Sequence, residues 1–317
     1  MRIIYWMHMA LVEAAINEKL AKFPDVTIDR VKTLDELKTV LPGADGIIAP
    51  DPPAGEAEEF GNLLRAPGNT VRWVHCVTAG RENYEKANLP PDVILTGPAG
   101  AHSAALAEHA MAFLLAYTRQ MPAFAAMTAR GTWQRELGGK MTSLEGRTLA
   151  IVGLGFAGIE LAKRAKPFGM TILAANRSPK SDPLIDEVYP LDHIKEMLAR
   201  ADFIVVTIAS SPDTYHLIGA DELAACKPNA YIVNVARGPV IDPAALEDAL
   251  RSGKIAGAGI DVTEPEPLPD GHSLWTAPNL LISPHIGGGG SPRSADRLSG
   301  RVVENLQRFI DGTLKPT

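Results

Sequence analysis

Cysteine is scarce in this sequence, since Cys76 and Cys226 are the only two among 317 residues. So few thiols exclude a disulfide-stapled scaffold, and they do not show the spacing of a cysteine-based zinc site. A disulfide between the two is an alternative, but two buried thiols in a reducing compartment are the better prediction. We therefore expect a cytoplasmic protein.

An excess of basic charge is also lacking, because 31 lysines and arginines stand against 37 acidic residues, for a net charge of −6. Nucleic-acid-binding proteins usually carry a basic excess or a basic stripe, so we expect no nucleic-acid partner. The chain has no apolar run of about 18 residues, and we expect no membrane span and no membrane partner. The remaining composition, 46% hydrophobic and 21% charged, is typical of a globular protein of one large or two medium domains.

Short apolar runs rich in β-forming residues alternate with helical stretches, which predicts parallel sheets built from βα units. A long, mostly apolar helix is predicted over Ser103–Thr118 with Ser103 as its N-cap, and an amphipathic helix over residues 294–310. The predicted strands are residues 3–7, 44–49, 71–77, 149–152, 171–175, 203–208, 231–235, 257–262 and 280–283.

A glycine pattern follows the predicted strand at 149–152. Gly153, Gly155 and Gly158 form G-x-G-x-x-G before a helix predicted over residues 159–167. The first glycine permits a tight turn, the second lets a pyrophosphate approach the backbone, and the third lets helix and strand pack closely. The helix N-terminus then offers N–H groups to the phosphates. We predict a dinucleotide site here, and a purely structural turn is the alternative.

The end of the next predicted strand bears on the choice of cofactor. NAD enzymes usually place an acidic residue there to bind the ribose 2′-hydroxyl, but this chain has Asn176, Arg177 and Ser178. A guanidinium can bind a 2′-phosphate through paired hydrogen bonds. We therefore favour NADP(H), and NAD(H) is the alternative if Arg177 only covers the adenine.

Polar residues accompany three later predicted strands. Arg237 follows one strand, Asp261 is placed within the next with Glu264 and Glu266 after it, and His285 follows the last. Ligands of open α/β sheets bind beyond the carboxyl ends of the strands, so these side chains should project toward one crevice.

Each of these residue types suits one part of the reduction of a 2-keto acid. The cofactor supplies the hydride, and His285 can supply a proton because imidazoles titrate near neutral pH. Glu266 would orient the imidazole, and Arg237 would hold the substrate carboxylate or polarise its carbonyl. For each residue alone, a surface salt bridge, a loop acid or a packed histidine is the alternative.

Taken together, these segments resemble the D-isomer-specific 2-hydroxyacid dehydrogenase family, whose motifs GLGFAG, NVARGPVID, GAGIDVTEPEP and SPHIG occur here in the family's order. The resemblance implies an α/β fold of two Rossmann-like or flavodoxin-like parallel-sheet domains with an inter-domain cleft. It implies a substrate domain of residues 1–99 plus 290–317 and a nicotinamide dinucleotide-binding domain of residues 100–289. It also implies a homodimer to which the long helix contributes.

The resemblance further implies roles for individual residues. Arg237, Glu266 and His285 match the family's catalytic triad, with Glu264 as the competing acid, and Asp261 matches a residue near the nicotinamide carboxamide. The implied substrate contacts are Thr78, Ala79, Gly80 and Arg237. The implied cofactor contacts are Gly153, Gly155, Phe156, Ala157, Gly158, Asn176, Arg177, Ser178, Ile208, Ala209, Pro212, Val235, Ala236, Asp261 and Gly287.

The expected activity is therefore interconversion of a small 2-keto acid and its D-2-hydroxy acid, with glyoxylate or hydroxypyruvate as the nearest candidates. A non-enzymatic dinucleotide sensor, similar to a corepressor within the family, is the alternative. Oxidation of formate or phosphite is a further alternative, but formate enzymes usually pair the histidine with glutamine where this chain has Glu266. No metal site is expected, and His102 and His109 are interpreted as packing residues.

Overall fold

The computed structural model describes residues 1–7 and 10–316, with the side chains of residues 10–12 left undescribed. The chain forms two compact units, one of Met1–His102 with Ser291–Thr317 and the other of Ser103–Gly290. The predicted divisions, after residues 99 and 289, lie three residues and one residue before these. Each unit contains one all-parallel sheet, which confirms the predicted α/β class with two parallel-sheet domains.

The strands are β1 (Arg2–Trp6), β2 (Thr27–Val31), β3 (Gly46–Ala49), β4 (Trp73–Cys76), β5 (Ile94–Thr96), β6 (Thr148–Val152), β7 (Thr171–Asn176), β8 (Glu187–Pro190), β9 (Phe203–Val206), β10 (Tyr231–Asn234), β11 (Gly257–Ile260) and β12 (Leu280–Ile282). The helices are α1 (Ala10–Leu20), α2 (Leu34–Val40), α3 (Ala57–Arg65), α4 (Glu82–Ala87), α5 (Ser103–Thr118), α6 (Met121–Ala129), α7 (Phe156–Ala165), α8 (Ile194–Arg200), α9 (Ala220–Ala225), α10 (Pro243–Arg251) and α11 (Pro292–Ile310).

The first unit has a five-stranded sheet of order β2-β1-β3-β4-β5, the order of flavodoxin-like folds. Its strands β3 and β4 are buried along their whole length, which explains why their sequences, GIIA and WVHC, are apolar except for His75. Two apolar clusters cover the two faces of this sheet, and α11 returns from the chain's end to pack against α1.

The second unit has a seven-stranded sheet of order β12-β11-β10-β9-β6-β7-β8. The chain crosses from one half of this sheet to the other between β6 and β9, and this switch point is where open α/β sheets bind ligands. Helix α5 lies on one face and fits tightly, because a Cβ on Gly259 of β11 would lie 2.4 Å from Phe113 of α5. Tyr117 of α5 stacks on Tyr231 of β10 with ring centroids 4.1 Å apart.

Several predicted boundaries were wrong. Strand β11 ends at Ile260, so Asp261 follows the strand instead of lying within it. Helix α5 has the predicted bounds, Ser103–Thr118, but Ser103 is its first helical residue and not the cap before it. Helix α7 begins at Phe156, three residues earlier than predicted, because the chain becomes helical directly after Gly155. Strands β2, β5 and β8 were not predicted, since they are short outermost strands that contain polar residues.

Both cysteines are buried and free, and burial raises the pKa of each thiol to about 11. Within the described residues, no helix has the length and apolar character needed to span a bilayer.

Candidate active site

The glycine turn joins β6 to α7 at the switch point of the second unit's sheet. Gly153 has φ +103°, and a Cβ there would lie 2.6 Å from the backbone of Ile208. A Cβ on Gly158 would lie 2.3 Å from the carbonyl oxygen of Gly153. Both positions therefore require glycine, the first for its backbone conformation as well as for space. The hydroxyl of Thr207 donates to the carbonyl of Gly153 at 2.6 Å and fixes the turn.

Gly155 differs from the other two glycines because a Cβ on it would meet nothing within 4 Å. It is exposed and directly precedes α7, whose first N–H groups, those of Phe156, Ala157 and Gly158, lack partners within the helix. Open space above a bare backbone at the positive end of a helix is the arrangement that receives a pyrophosphate. The residues present therefore fit a dinucleotide.

At the end of β7, the guanidinium of Arg177 lies beside the loop that follows β9. Its Nη2 is 3.4 Å from Ser211 Oγ and 3.7 Å from Asp213 Oδ2, and its side chain is 66% exposed. Asn176, the last residue of β7, donates weakly to the carbonyl of Ser178 at 3.5 Å. The carboxyl end of this strand therefore presents an arginine where a ribose-binding carboxylate would otherwise stand.

The loop after β9 carries three more of the predicted cofactor contacts and is braced by Thr214. The Thr214 hydroxyl donates to the carbonyl of Ala209 at 2.8 Å and accepts from the N–H of Ser211 at 2.8 Å. Pro212 opens the short 3-10 turn that presents Thr214, and Ile208 packs against the glycine turn. The two loops therefore form one continuous surface at the switch point.

The turn after β10 presents Arg237. Asn234 bridges this turn, because its side chain accepts from the N–H of Ala236 at 3.0 Å and donates to the carbonyl of Arg237 at 2.9 Å. Arg237 Nη1 donates to the carbonyl of Ala236 at 2.7 Å, while Val235 and Ala236 are buried. A Cβ on Gly238 would lie 1.9 Å from the carbonyl of Thr263, so this turn packs closely on the segment after β11. The backbone of Arg237 is therefore part of a rigid turn, which fixes the point from which its side chain extends.

His285 and Glu266 meet through a hydrogen bond between Nδ1 of the imidazole and Oε1 of the carboxylate. The competing acid, Glu264, instead lies with its Oε2 3.0 Å from Nε2 of His216. His285 has φ +52°, a left-handed conformation that is uncommon for a residue with a side chain. With Nδ1 taken by Glu266, the ring's Nε2 is the atom available to give or take a proton.

Asp261 directly follows β11, the strand beside the outermost strand β12. It is 2% exposed, and its carboxylate accepts hydrogen bonds from the N–H groups of Ile286 and Gly287 and from the hydroxyl of Ser283. The sequence analysis did not identify Ser283 as a functional candidate, and it interpreted His109, which contacts Ser283, only as a packing residue. The serine of SPHIG was the available signal, since it stands two residues before the histidine.

In the first unit, the turn Thr78–Gly80 follows β4. The hydroxyl of Thr78 donates to the carbonyl of Gly80 at 2.9 Å and accepts from the N–H of Asp51 at 2.9 Å. The Asp51 carboxylate in turn accepts from the N–H groups of Asn83 and Tyr84 at 3.1 and 3.0 Å, at the start of α4. This network holds the turn, including Ala79, in a defined conformation.

Neighbouring strands decide which predicted residues share an edge of the second unit's sheet. Strands β10, β11 and β12 are adjacent and parallel, so the segments that follow them, with Arg237, Glu266 and His285, leave the sheet at the same edge. The glycine turn after β6 leaves at that edge too. Among the described residues, no group of three histidine, cysteine or acidic side chains is arranged to hold a metal ion. This edge can therefore serve dinucleotide binding and proton transfer.

Comparison with known proteins identifies one family for this chain. The sequence model of the D-isomer specific 2-hydroxyacid dehydrogenase NAD binding domain matches residues 111–287. The chain is 32% identical to the glyoxylate reductase of Thermococcus gammatolerans over 92% of its own length and 85% of that protein. It is 39% identical to the D-3-phosphoglycerate dehydrogenase of Methanocaldococcus jannaschii over 74% of its own length, but this match spans only 45% of that longer relative.

Solved structures are similar over the full chain. A D-isomer specific 2-hydroxyacid dehydrogenase family protein from Aeromonas salmonicida matches with a TM-score of 0.86 and 31% identity, covering 99% of this chain and 97% of that one. A D-isomer specific 2-hydroxyacid dehydrogenase from Xanthobacter autotrophicus, crystallised with NADPH and MES, matches with a TM-score of 0.84 and 27% identity, covering 100% and 96%.

Proposed function

This chain belongs to the D-isomer specific 2-hydroxyacid dehydrogenase family, and from that premise we propose that it interconverts a short 2-keto acid of the glyoxylate or hydroxypyruvate type and the D-2-hydroxy acid. The observation that supports this most is the imidazole–carboxylate pair of His285 and Glu266, at the sheet edge that also carries the glycine turn. The alternative of a non-enzymatic dinucleotide sensor has no support from the relatives described above, which are named as reductases and dehydrogenases.

In this proposal the protein manages the proton while the nicotinamide, when bound, supplies or accepts the hydride. His285 Nε2–H gives its proton to the carbonyl oxygen during reduction and takes it back from the hydroxyl in the reverse direction. Glu266 accepts the Nδ1–H, so the neutral imidazole left after proton transfer carries its remaining proton on Nδ1. The carboxylate thereby fixes the ring's tautomer and its orientation.

Arg237 binds the substrate in this proposal. Its guanidinium can donate to the substrate carboxylate or to the oxygen that gains negative charge, and such charge-assisted hydrogen bonds strengthen as the charge develops. The bond from Nη1 to the carbonyl of Ala236 limits the directions in which the guanidinium can point. We also propose that Thr78, Ala79 and Gly80 contribute to binding the substrate carboxylate through their turn, whose conformation is held by the Thr78 hydroxyl.

NADP(H) is the proposed cofactor, with Arg177 as the residue that decides between the two nicotinamide dinucleotides. The guanidinium stands at the end of β7 with an acidic partner, Asp213, that it can exchange for a 2′-phosphate. The related Xanthobacter autotrophicus structure holds NADPH. An Asn176→Asp, Arg177→Ala double variant should shift the preference toward NADH, and an unchanged ratio of NADPH to NADH activity would refute the role of Arg177.

We propose that the protein acts as a homodimer, to which α5 contributes as the resemblance implies and whose interface also includes α6. Its sequence, MPAFAAMTA, is apolar, yet none of its residues is buried, and the nearby Trp133 is 89% exposed. An exposed apolar surface of this kind is typical of a subunit interface, and a second copy of the chain is the occupant we propose. Light scattering should report twice the chain mass of 33.8 kDa, and a monomer would refute the proposal.

A cytoplasmic location is also proposed, and the two free thiols support it.

The decisive experiment measures initial rates with a panel of short 2-keto acids and with both reduced cofactors. We expect turnover of glyoxylate or hydroxypyruvate with NADPH, and a loss of about 100-fold or more in the His285→Ala variant, the scale of a lost acid–base group. The control is binding of NADPH by that variant, followed by nicotinamide fluorescence, which should remain unchanged. Cofactor binding by the unaltered protein without reduction of any keto acid would contradict the enzymatic proposal and favour the sensor.

A further inference from the structure

The loop that carries His285 adopts a backbone conformation that needs support from its surroundings. A residue with a side chain at φ +52° stays in that conformation only when neighbouring contacts over-determine it. The His285 N–H donates to the carbonyl of Asp261 at 2.8 Å. The next two N–H groups, of Ile286 and Gly287, donate to Oδ1 and Oδ2 of the Asp261 carboxylate at 3.0 and 2.8 Å. One residue therefore accepts three successive N–H groups of the loop.

The Asp261 carboxylate is itself held by two further side chains, one at the start of the loop and one on α5. The hydroxyl of Ser283 donates to Oδ1 at 2.5 Å, and Nε2 of His109 lies 2.8 Å from Ser283 Oγ and 3.4 Å from Asp261 Oδ1. Because the hydroxyl has one proton and gives it to the carboxylate, the His109 Nε2 must be the donor to Ser283. The network thus runs from α5 through the end of β12 to the His285 loop.

Because the Asp261 carboxylate is buried, its position depends on Ser283 and His109. A carboxylate that is 2% exposed loses most of its hydration, and it remains in place only where hydrogen-bond donors replace the lost water. Asp261 uses both oxygens for donors within this unit, and an imidazole stands within ion-pair distance of one of them. Removing Ser283 or His109 would leave the carboxylate underbonded and free to rotate away from the loop N–H groups.

Packing around Gly287 confirms how little room the network has. A Cβ on this glycine would lie 2.8 Å from Asp261 Oδ2 and 2.9 Å from Cδ2 of His109, so loop, carboxylate and imidazole are in direct contact. The ring of His109 is fixed from its other side by an edge contact with Phe113, at a centroid distance of 4.9 Å. The position of His109 on α5 is therefore transmitted to the loop through rigid contacts.

We propose that His109 and Ser283 are positioning residues for proton transfer, which hold Asp261 so that it fixes the loop with His285 facing Glu266. This inference rests on the proposed acid–base function of His285. Neither residue needs to touch substrate or cofactor, since both act through the Asp261 carboxylate.

Ser283→Ala removes the hydroxyl and His109→Phe removes the nitrogen while keeping an aromatic ring against Phe113. In each we expect kcat to fall about 10-fold, the effect of one lost hydrogen bond to a charged group, with a smaller loss of affinity for NADPH because Asp261 and Gly287 are also implied cofactor contacts. Ser283→Thr and His109→Gln keep a donor and should recover most of kcat. The exposed His193, replaced by glutamine, is the control for a histidine remote from the network.

A second measurement does not depend on catalysis. Hydrogen exchange followed by mass spectrometry on a peptide containing Ile286 and Gly287 should show protected amides in the unaltered protein and faster exchange in Ser283→Ala. If no keto acid is reduced but this protection is lost in the variant, the proposed function fails and the network stands. Unchanged exchange and unchanged kcat in Ser283→Ala and His109→Phe would overturn the inference, as would a loss of kcat that Ser283→Thr does not recover.

Discussion

The stability of the first unit should fall in mild acid because its core contains a neutral histidine. His75 of β4 is 0% exposed, and burial lowers its pKa from 6.5 to about 3. Its Nδ1 lies 2.9 Å from Thr96 Oγ1 and 3.3 Å from Asn305 Nδ2, and its Nε2 has no hydrogen-bond partner among the described residues. Folding therefore holds this imidazole neutral at pH values where the unfolded chain binds a proton.

The magnitude follows from the linkage between protonation and folding. Because the unfolded state binds the extra proton, the contribution is intact above about pH 6.5 and is lost progressively as the pH falls toward the folded value near 3. At pH 5 the pH is about 1.5 units below the pKa of the unfolded imidazole, and each unit of this difference corresponds to about 1.4 kcal/mol of folding free energy. His75 alone should therefore lower the free energy of unfolding by about 2 kcal/mol between pH 7.5 and pH 5.

Tryptophan fluorescence is a suitable assay for this unit. Trp6 and Trp73 are 1% and 0% exposed and lie in the first unit, whereas Trp133 and Trp275 of the second unit are 89% and 51% exposed. The red shift of emission during urea unfolding will therefore report mainly on the first unit. The experiment compares the free energy of unfolding of the unaltered protein and of His75→Asn at pH 7.5 and pH 5.

His75→Asn keeps an oxygen that can accept from Asn305 but does not titrate. It should be less stable at pH 7.5 because it leaves a cavity, yet the gap between the two proteins should shrink by about 2 kcal/mol at pH 5. Other acid-sensitive groups cancel in this difference. A gap that is the same at both pH values would show that His75 binds its proton as readily in the folded state as in the unfolded chain, and the reasoning would be refuted.

Three further predictions concern the active site. Gly158→Ala should weaken NADPH binding about 10-fold or more, because a Cβ 2.3 Å from the Gly153 carbonyl oxygen overpacks the turn and shifts it. Gly139→Ala, where a Cβ meets nothing within 4 Å, is the control, and equal NADPH affinities of the two variants in a binding titration would contradict the packing argument. Arg237→Ala should raise the KM for the keto acid about 10-fold or more, as expected for a lost charge-assisted hydrogen bond, while the Kd for NADPH stays constant. A large loss of NADPH affinity in this variant would show that Arg237 has another role. Glu266→Gln should lower kcat in steady-state assays, because the amide no longer stabilises the imidazolium of His285. Glu264→Gln should leave kcat nearly unchanged, because the Glu264 carboxylate pairs with His216. A larger loss of kcat in Glu264→Gln than in Glu266→Gln would mean that the wrong acid was chosen.

Local patterns in the sequence were enough to predict the α/β class, the parallel sheets and the βα turn at Gly153–Gly158. These features depend on neighbours in the chain, since the apolar runs form buried strands and the glycines are needed where a Cβ would strike the backbone. The same reasoning missed β2, β5 and β8, because a short strand at a sheet edge is stabilised by its partner more than by its own residues.

The candidate site divided in the same way between sequence and structure. Motif order predicted Arg237, Glu266 and His285 as a set but left Glu264 as a competitor, and only the folded loops showed that Glu264 faces His216. These catalytic assignments remain predictions until the variants are assayed.

The sequence by itself determined which chemical groups the chain has and which turns need glycine, because both depend on residues close together along the chain. Only the tertiary structure decided that His109 would reach Ser283, 174 positions later, and that Asp261 would hold the loop of His285. The physical reason is that a buried carboxylate takes its hydrogen bonds from whichever donors the packing of α5 on β10 and β11 brings to it, and no spacing in the sequence records that distance.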